Sequence, residues 1–128
     1  MILHRTNLNY LLVLLLIIYA FLINWISANI GVLPIDTFAF FDTGFNILNN
    51  KLPLKDFWIF TGLFVDYLQA LFFLIFGLSW NSYVLHACFI NILVSLSFYL
   101  FLIKLNLEKI YSFIYAISFA TLCYPLSG

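Results

Sequence analysis

The chain has 128 residues, of which 66% are hydrophobic and only 8% charged, and its formal net charge is zero. A soluble domain carries about 25% charged residues, so this composition excludes an ordinary water-soluble domain and predicts a chain that lies in lipid. The zero net charge also excludes the basic surface by which proteins bind nucleic acid. Cys88 and Cys123 both fall in apolar runs, where we expect buried hydrophobic packing, and no metal-ligand spacing is present.

The first apolar run extends from residue 8 to residue 30 and follows His4 and Arg5. A secretory signal peptide has an apolar core of about 7–15 residues and a small-residue cleavage site, whereas this run is longer and lacks such a site. A helix crosses a bilayer with about 20 apolar residues. We therefore predict a retained first transmembrane helix, with Arg5 holding the N-terminus in the cytoplasm.

Polar residues concentrate after this run, since three of the four aspartates and two of the four lysines lie between residues 33 and 58. Viewed as a helix, residues 36–50 separate into an apolar half and a polar half. The apolar half holds Phe38, Phe40, Phe41, Phe45, Ile47 and Leu48, and the polar half holds Asp36, Asp42, Thr43, Asn46, Asn49 and Asn50. This pattern predicts a helix in the membrane interface, with its rings towards lipid and its carboxylates towards water. Asp36 is available as its N-cap, and Asn49, Asn50 and Pro53 close it.

Residues 61–77 form a shorter apolar stretch that contains Asp66 and Gln69 one helical turn apart. We predict a second interfacial or re-entrant helix here. Because a charged group in lipid is costly unless it faces protein or water, Asp66 is expected to face the interior of the loop or water.

Residues 82–103 and 110–126 carry no charge and are predicted to be further transmembrane helices. If residues 61–77 also crossed, all four lysines would lie outside the cell. If they do not cross, Lys104 and Lys109 lie in the cytoplasm with Arg5, which is the arrangement that the positive-inside rule favours.

The sequence thus predicts an all-α, polytopic membrane domain over residues 1–128. It has three transmembrane helices, and residues 31–81 form a large extracytoplasmic loop with interfacial helices. His86, Asn91 and Ser95 lie inside the second span, where polar side chains usually form hydrogen bonds with neighbouring helices.

Three features of the loop follow one another in a recognisable order. Asp36 opens the loop after the first helix, "NILNNKLPLKDFW" (residues 46–58) follows with Asp56 near its end, and "LFFLIFGLSWNSYVLH" (residues 71–86) contains a phenylalanine-glycine junction before the next span. This order resembles the N-terminal part of the GT-C group of integral-membrane glycosyltransferases, which includes protein O-mannosyltransferases, aminoarabinose transferases and bacterial lipopolysaccharide-core transferases. The chain differs from the group's pattern at Asn50, where glycine is usual, and near His86, where arginine is common.

The resemblance implies transfer of a sugar from a polyprenyl-phosphate-linked donor to an acceptor hydroxyl at the extracytoplasmic face. It implies a location in the bacterial inner membrane, with the lipid-linked donor and the bilayer as partners and no nucleic acid. Such enzymes have many more spans, so we expect residues 1–128 to be a fragment of a longer protein. No cofactor is expected, and the sequence does not decide whether a divalent metal takes part.

Asp36 is the candidate catalytic base, because transfer to a hydroxyl needs a carboxylate near the acceptor oxygen. The alternative role for Asp36 is a helix N-cap. Substrate-binding candidates are Asp42, Asp56, Lys55 and Asp66. Three of these have a plainer alternative: a solvated carboxylate for Asp42, a cap of the next helix for Asp56, and a side chain that reaches lipid headgroups for Lys55 and, more so, for Lys51.

Two other classes of function fit the same residues. A small non-enzymatic membrane subunit would use residues 36–66 as a docking surface. A transporter fragment would place its polar residues near the middle of the bilayer, whereas here they cluster towards one interface.

Overall fold

In the computed structural model, the residues that are described form five α-helices: α1 (Ile2–Ser27), α2 (Pro34–Leu48), α3 (Leu63–Phe76), α4 (Trp80–Lys104) and α5 (Lys109–Cys123). The structure describes residues 2–30, 34–59 and 62–123, without the side chains of residues 2–7, 34–36, 39, 40 and 123. Within these ranges the chain forms no strand, and an isolated bridge joins Pro53 to Phe57. The all-α prediction is confirmed.

Within the described part of the chain, two helices are long and apolar enough to cross a membrane, Leu8–Ser27 within α1 and Trp80–Lys104. The predicted span over residues 110–126 corresponds to α5, which has 15 residues, and residues 124–126 lie outside the described part of the chain. At about 1.5 Å per residue α5 is roughly 22 Å long, less than the roughly 30 Å of the hydrocarbon core. A third helix of full spanning length is therefore not among the described residues.

Helices α1, α4 and α5 pack side by side as a three-helix bundle. The hydroxyl of Tyr99 on α4 donates to Asn9 at the start of α1 (2.9 Å), and Asn24 near the end of α1 donates to the carbonyl of Ala87 (3.0 Å). These two pairs show that α1 and α4 are antiparallel. The hydroxyls of Tyr19 and Thr121 are 2.6 Å apart, and α5 runs in the same direction as α1.

Small side chains allow the three helices of the bundle to approach closely. The positions that face the other helices include residues with no exposed area: Ala20 on α1, Ser95 on α4, and Ser112, Ala116 and Ala120 on α5. The three on α5 are four residues apart, the spacing by which small residues bring membrane helices into contact. Leu16 and Tyr99, also fully buried, fill the space between these contacts.

Helices α2 and α3 form a separate pair that packs on the first turns of α4. The core there contains Phe73, Tyr83, Val84 and Cys88, with Phe41 of α2 packed against it. The ring centroids of Phe41 and Phe73 are 4.7 Å apart. The buried environment expected for Cys88 is confirmed, whereas the Cys123 side chain lies outside the described residues.

The ends of α2 and α4 have the same local geometry. The amides of Asn50 and Lys51 donate to the carbonyls of Ile47 and Asn46, and Asn50 has φ +60°. Asn106, with φ +63°, closes α4 by the same two bonds. This is the Schellman motif. It requires one residue in the left-handed helical conformation, which glycine and asparagine adopt more readily than other residues. Asn50, at which the sequence departs from the glycine of the pattern it resembles, therefore meets the same conformational requirement as glycine would.

The junction before α4 explains why a glycine follows the phenylalanine-rich helix. Gly77 has φ +82°, a conformation that residues with a side chain rarely adopt. Ser79 then caps α4 by accepting a hydrogen bond from the amide of Ser82 (3.2 Å). The chain can thus reverse direction between α3 and α4 within three residues.

Candidate functional site between helices α2 and α3

A buried carboxylate joins α2 to α3. Asp66 on α3 is 2% exposed, and its Oδ1 accepts a hydrogen bond from the hydroxyl of Thr43 on α2 (2.9 Å). Thr43 is itself buried. The expectation that Asp66 faces the interior of the loop is confirmed.

Gln69 lies one turn after Asp66 and faces the same helix. Its side chain is 2% exposed, and neither its amide oxygen nor its amide nitrogen has a hydrogen-bond partner among the described residues. Its Cγ lies 2.8 Å from the point where a Cβ would stand on Gly44, and a ring atom of Phe73 lies 3.0 Å from that point. Gly44 is therefore required for the close approach of α2 to α3 at this level.

Two further buried polar atoms near these helices lack a partner within the described ranges. They are the hydroxyl oxygen of Thr37 on α2 and Nε2 of His86 on α4. The imidazole of His86 packs edge-on against Phe72 of α3, with ring centroids 5.5 Å apart. His86 was expected to form a hydrogen bond with a neighbouring helix, and at Nε2 this expectation is wrong: the imidazole packs against an aromatic ring of α3, and Nε2 has no partner among the described residues.

On the outer side of α2, Asp42 belongs to a short polar chain. The exposed Asp42 accepts a hydrogen bond from the amide of Asn46 (2.8 Å), and Asn46 accepts one from the ammonium group of Lys51 (2.8 Å). Asn46 is buried although its helix position suggested contact with water. Asp42 thus keeps the exposure expected of it, and Lys51 is held towards α2.

Asp56 lies in the turn that follows α2. Its Oδ2 accepts a hydrogen bond from the backbone amide of Leu52 (2.8 Å), and α3 begins only at Leu63. The prediction that Asp56 caps the next helix is therefore wrong, because its carboxylate closes its own turn. Lys55, next to it, is exposed.

Asp36 lies in the first turn of α2, which begins at Pro34. Proline is favoured at the first helical position because the amide it lacks would have no partner there. The N-cap alternative for Asp36 is therefore wrong by position. The Asp36 side chain lies outside the described residues.

The structure brings some predicted site residues together and keeps others apart. Asp66 meets Thr43 of the facing helix, whereas Asp42 and Asp56 bond within their own segments. Thr43 and Asn46 were assigned to the water-facing half of α2, and this is wrong because both are buried. Sequence reasoning missed this contact, although Gly44, a lone glycine in an otherwise helical pattern, is a signal from which it could have been predicted.

Among the side chains that the structure describes, which do not include those of His4, Asp36 and Cys123, no group of three or more His, Cys, Asp or Glu is close enough to hold a metal ion. No protein-family model, curated protein or solved structure matches the chain. The family resemblance and the reaction it implies therefore remain predictions.

Proposed function

We propose that the chain is a membrane domain of a GT-C-type glycosyltransferase, which transfers a sugar from a polyprenyl-phosphate-linked donor to an acceptor hydroxyl at the extracytoplasmic face. The observation that carries this proposal is the order and direction of the helices. Two apolar helices, α1 and α4, run antiparallel, and the α2–α3 pair with its buried polar groups lies between them in the chain. Loop helices between two spans are what the resemblance implies.

The antiparallel packing of α1 and α4 supports three crossings. If α3 also crossed the bilayer, α4 would have to run in the same direction as α1. With α2 and α3 on the outer side, α1 leads out, α4 leads back and α5 leads out again. Lys104 and Lys109 then lie at the same end as the start of α1, as the positive-inside rule favours. The short α5 crosses by local thinning of the bilayer.

This topology is tested by labelling Leu105→Cys in a chain whose two natural cysteines are replaced by serine. Leu105 is 61% exposed and follows α4 with φ −78°, so a cysteine there causes no backbone strain. An impermeant thiol reagent should label it only after the membrane is opened. Labelling from the outer side of intact cells would reverse the proposed orientation.

In the proposed reaction, the acceptor oxygen attacks the anomeric carbon of the sugar, the bond from that carbon to the phosphate oxygen breaks, and polyprenyl phosphate leaves. Asp36 takes the proton of the acceptor hydroxyl as the new bond forms. Lys55, which is exposed in the turn between α2 and α3, supplies a positive charge for the leaving phosphate. Asp42 and Asp56 line the part of the site that binds the acceptor.

We assign Asp66 a positioning role in this site. Its carboxylate is buried and bonded to Thr43, so it fixes α2 against α3 and with it the helix that carries Asp36 and Asp42.

The test compares Asp36→Asn, Asp42→Asn and Asp56→Asn, made in the natural gene, by transfer from the lipid-linked donor in isolated membranes. A general base contributes typically about 10²–10⁴-fold, so Asp36→Asn should lower turnover by that order with normal membrane insertion. Loss of a carboxylate from the first turn of a helix costs only about 0.3–1 kcal/mol and should not remove the protein. Normal transfer by Asp36→Asn with loss in another variant would move the base to that residue. Normal transfer in all three would reject the carboxylate mechanism.

A non-enzymatic subunit is the second candidate. The carboxylates of Asp42 and Asp56 are both engaged by groups of their own segments, as expected of a loop that serves a structural role. Purified protein decides between the two classes. Transfer by the isolated gene product supports the enzyme, and transfer that requires another polypeptide supports the subunit.

A further inference from the structure

The connection between α2 and α3 contains a compact turn, residues 51–58, that is held together by its own hydrogen bonds. The amide of Asp56 donates to the carbonyl of Leu52 (2.9 Å), and the amide of Leu54 donates to the carbonyl of Phe57 (2.9 Å). The Asp56 carboxylate accepts the amide of Leu52 (2.8 Å). The turn therefore has a defined shape, and Lys51 joins its start to Asn46 of α2.

This turn holds large apolar side chains away from the rest of the protein. Leu52 is 51% exposed, Leu54 is 64% exposed and Trp58 is 74% exposed. Leu54 also has φ +66°, a left-handed conformation that is unfavourable for a residue with a side chain. Glycine or asparagine would adopt it with less strain, so the position is occupied by leucine at a conformational cost.

The charges around the turn indicate what covers these apolar groups. Lys55 is exposed beside them, while the ammonium group of Lys51 is bonded to Asn46 of α2 (2.8 Å) and the negative charge of Asp56 is directed to the backbone of the turn. Lysine is depleted at the centre of protein–protein interfaces. Lysine and tryptophan together are typical of the membrane–water boundary, where the indole lies among headgroups and the ammonium group reaches phosphate.

We propose that residues 51–58 are a membrane-interface anchor. Leu52, Leu54 and Trp58 enter the outer leaflet just below the phospholipid headgroups, and Lys55 lies at the level of the headgroup phosphates. The anchor fixes the height of the α2–α3 pair above the bilayer at the point where the two helices are joined. This proposal rests on the placement of the bundle in a bilayer and is independent of sugar transfer.

The experiment uses the full chain with Trp25→Phe and Trp80→Phe, so that Trp58 is the only tryptophan. The protein is reconstituted in phosphatidylcholine bilayers that contain phosphatidylglycerol, with bromine either near the headgroup or near the end of the acyl chains. Trp58 emission should be quenched more by the shallow bromine than by the deep bromine, and it should resist aqueous iodide. Quenching by iodide without quenching by brominated lipid would overturn the proposal. Protection from both quenchers would also overturn it, because protein would then cover the turn.

Leu54→Asn is the informative variant, since asparagine adopts the left-handed conformation and keeps the turn folded while it removes the apolar side chain. Quenching of Trp58 by brominated lipid should fall and quenching by iodide should rise. No change in either would show that Leu54 takes no part in anchoring.

If the two tryptophan replacements disturb folding, fluorotryptophan incorporated into the unchanged chain gives the same information. Its Trp58 resonance, assigned with Trp58→Phe, should broaden when the bilayer carries a spin-labelled headgroup, and an unaffected resonance would overturn the proposal.

A control separates failure of the anchor from failure of the membrane placement. Leu14, midway along α1, is 54% exposed. With all natural tryptophans replaced by phenylalanine, Leu14→Trp should be quenched most by the deep bromine. If Leu14→Trp is quenched and Trp58 is not, the anchor alone is wrong. If neither is quenched, the placement in a bilayer is wrong as well.

Discussion

The bundle of α1, α4 and α5 and the pair of α2 and α3 both bury amide side chains, but these amides have different surroundings. In the bundle, Asn91 donates to Oδ1 of Asn24 (3.1 Å) and to the carbonyl of Ala120 (3.2 Å), and it accepts from Ser95 (3.0 Å). A single side chain thus links all three helices. In the pair, the equally buried Gln69 has no such partner among the described residues.

The difference matters because a buried polar group without a hydrogen bond destabilises a fold by about 1–3 kcal/mol. Most proteins avoid this, and the exceptions tend to lie at functional positions or beside bound water or ions. Thr37, Gln69 and Nε2 of His86 are all associated with α2, α3 and the start of α4. The buried amide of the bundle is thus satisfied, whereas buried polar atoms without partners are found at α2, α3 and the adjoining start of α4.

The largest effect is predicted for Gly44→Val, which tests whether the pair depends on its close contact. A Cβ at this position would stand 2.8 Å from Gln69 and 3.0 Å from the Phe73 ring, so α2 must move away from α3. Overpacking of this kind costs roughly 2–3 kcal/mol. Hydrogen exchange in lipid nanodiscs should show faster exchange in α2 and α3, with α1 and α5 unchanged.

Gly62→Val is the matched control for this prediction. Gly62 precedes α3 with φ −88°, and no atom lies within 4 Å of the point where its Cβ would stand. This variant should exchange like the parent chain. Equal effects of the two substitutions would show that the contact at Gly44 is not what holds the pair together.

Gln69→Met should stabilise the protein, by roughly 1–2 kcal/mol, because it replaces an unpartnered amide with an apolar group of similar length. The free energy of unfolding, measured in mixed micelles with a denaturing detergent, checks the sign. Destabilisation would mean that the amide of Gln69 has a partner under these conditions, and the contrast between the two regions would then disappear.

Asn91→Leu should have the opposite sign. Hydrogen bonds between membrane helices contribute about 0.6 kcal/mol on average, so loss of the contacts to Asn24 and Ala120 should cost about 1 kcal/mol. The same micelle measurement applies. Ser97→Ala is the control, since Ser97 is exposed and donates only to Leu93 of its own helix (2.8 Å). A neutral Asn91→Leu would show that the network does not stabilise the bundle.

The sequence was sufficient to predict the helices but not how their faces are paired. Hydrophobic length located α1 and α4, and the cost of a charge in lipid correctly predicted that Asp66 faces inwards. The pattern of α2 could not show that Thr43 is buried, because a helical wheel does not distinguish water from a polar neighbour. That neighbour is Asp66, 23 residues further along the chain.

The candidate site was predictable to a lesser degree for the same reason. Asp56 was identified as a polar residue after a proline, but its bond to the amide of Leu52 depends on a turn with an unusual φ at Leu54. Propensity rules favour glycine or asparagine for such a turn and do not suggest leucine. Thr37 and Gln69, whose polar atoms lack hydrogen-bond partners, have no sequence signature. Whether such an atom finds a partner depends on which side chains the facing helix places opposite it.

The smallest effects are predicted at the two Schellman motifs, which allow the two regions to be compared at equivalent positions. Asn50 ends α2 with φ +60°, and Asn106 ends α4 with φ +63°. Alanine tolerates this conformation less well than asparagine, so Asn50→Ala and Asn106→Ala should each cost roughly 0.5–1 kcal/mol. Glycine at either position should be nearly neutral, because it adopts positive φ without a steric penalty.

Hydrogen exchange separates the two regions: Asn50→Ala should increase exchange at the end of α2 and in the turn after it, and Asn106→Ala should do so between α4 and α5. If the bundle is the more stable region, the second substitution will remain local, whereas the first will extend into α3, because α2 and α3 carry buried polar atoms of Thr37 and Gln69 that lack partners among the described residues. The two regions would have to be regarded as equally stable if both substitutions had effects of the same extent.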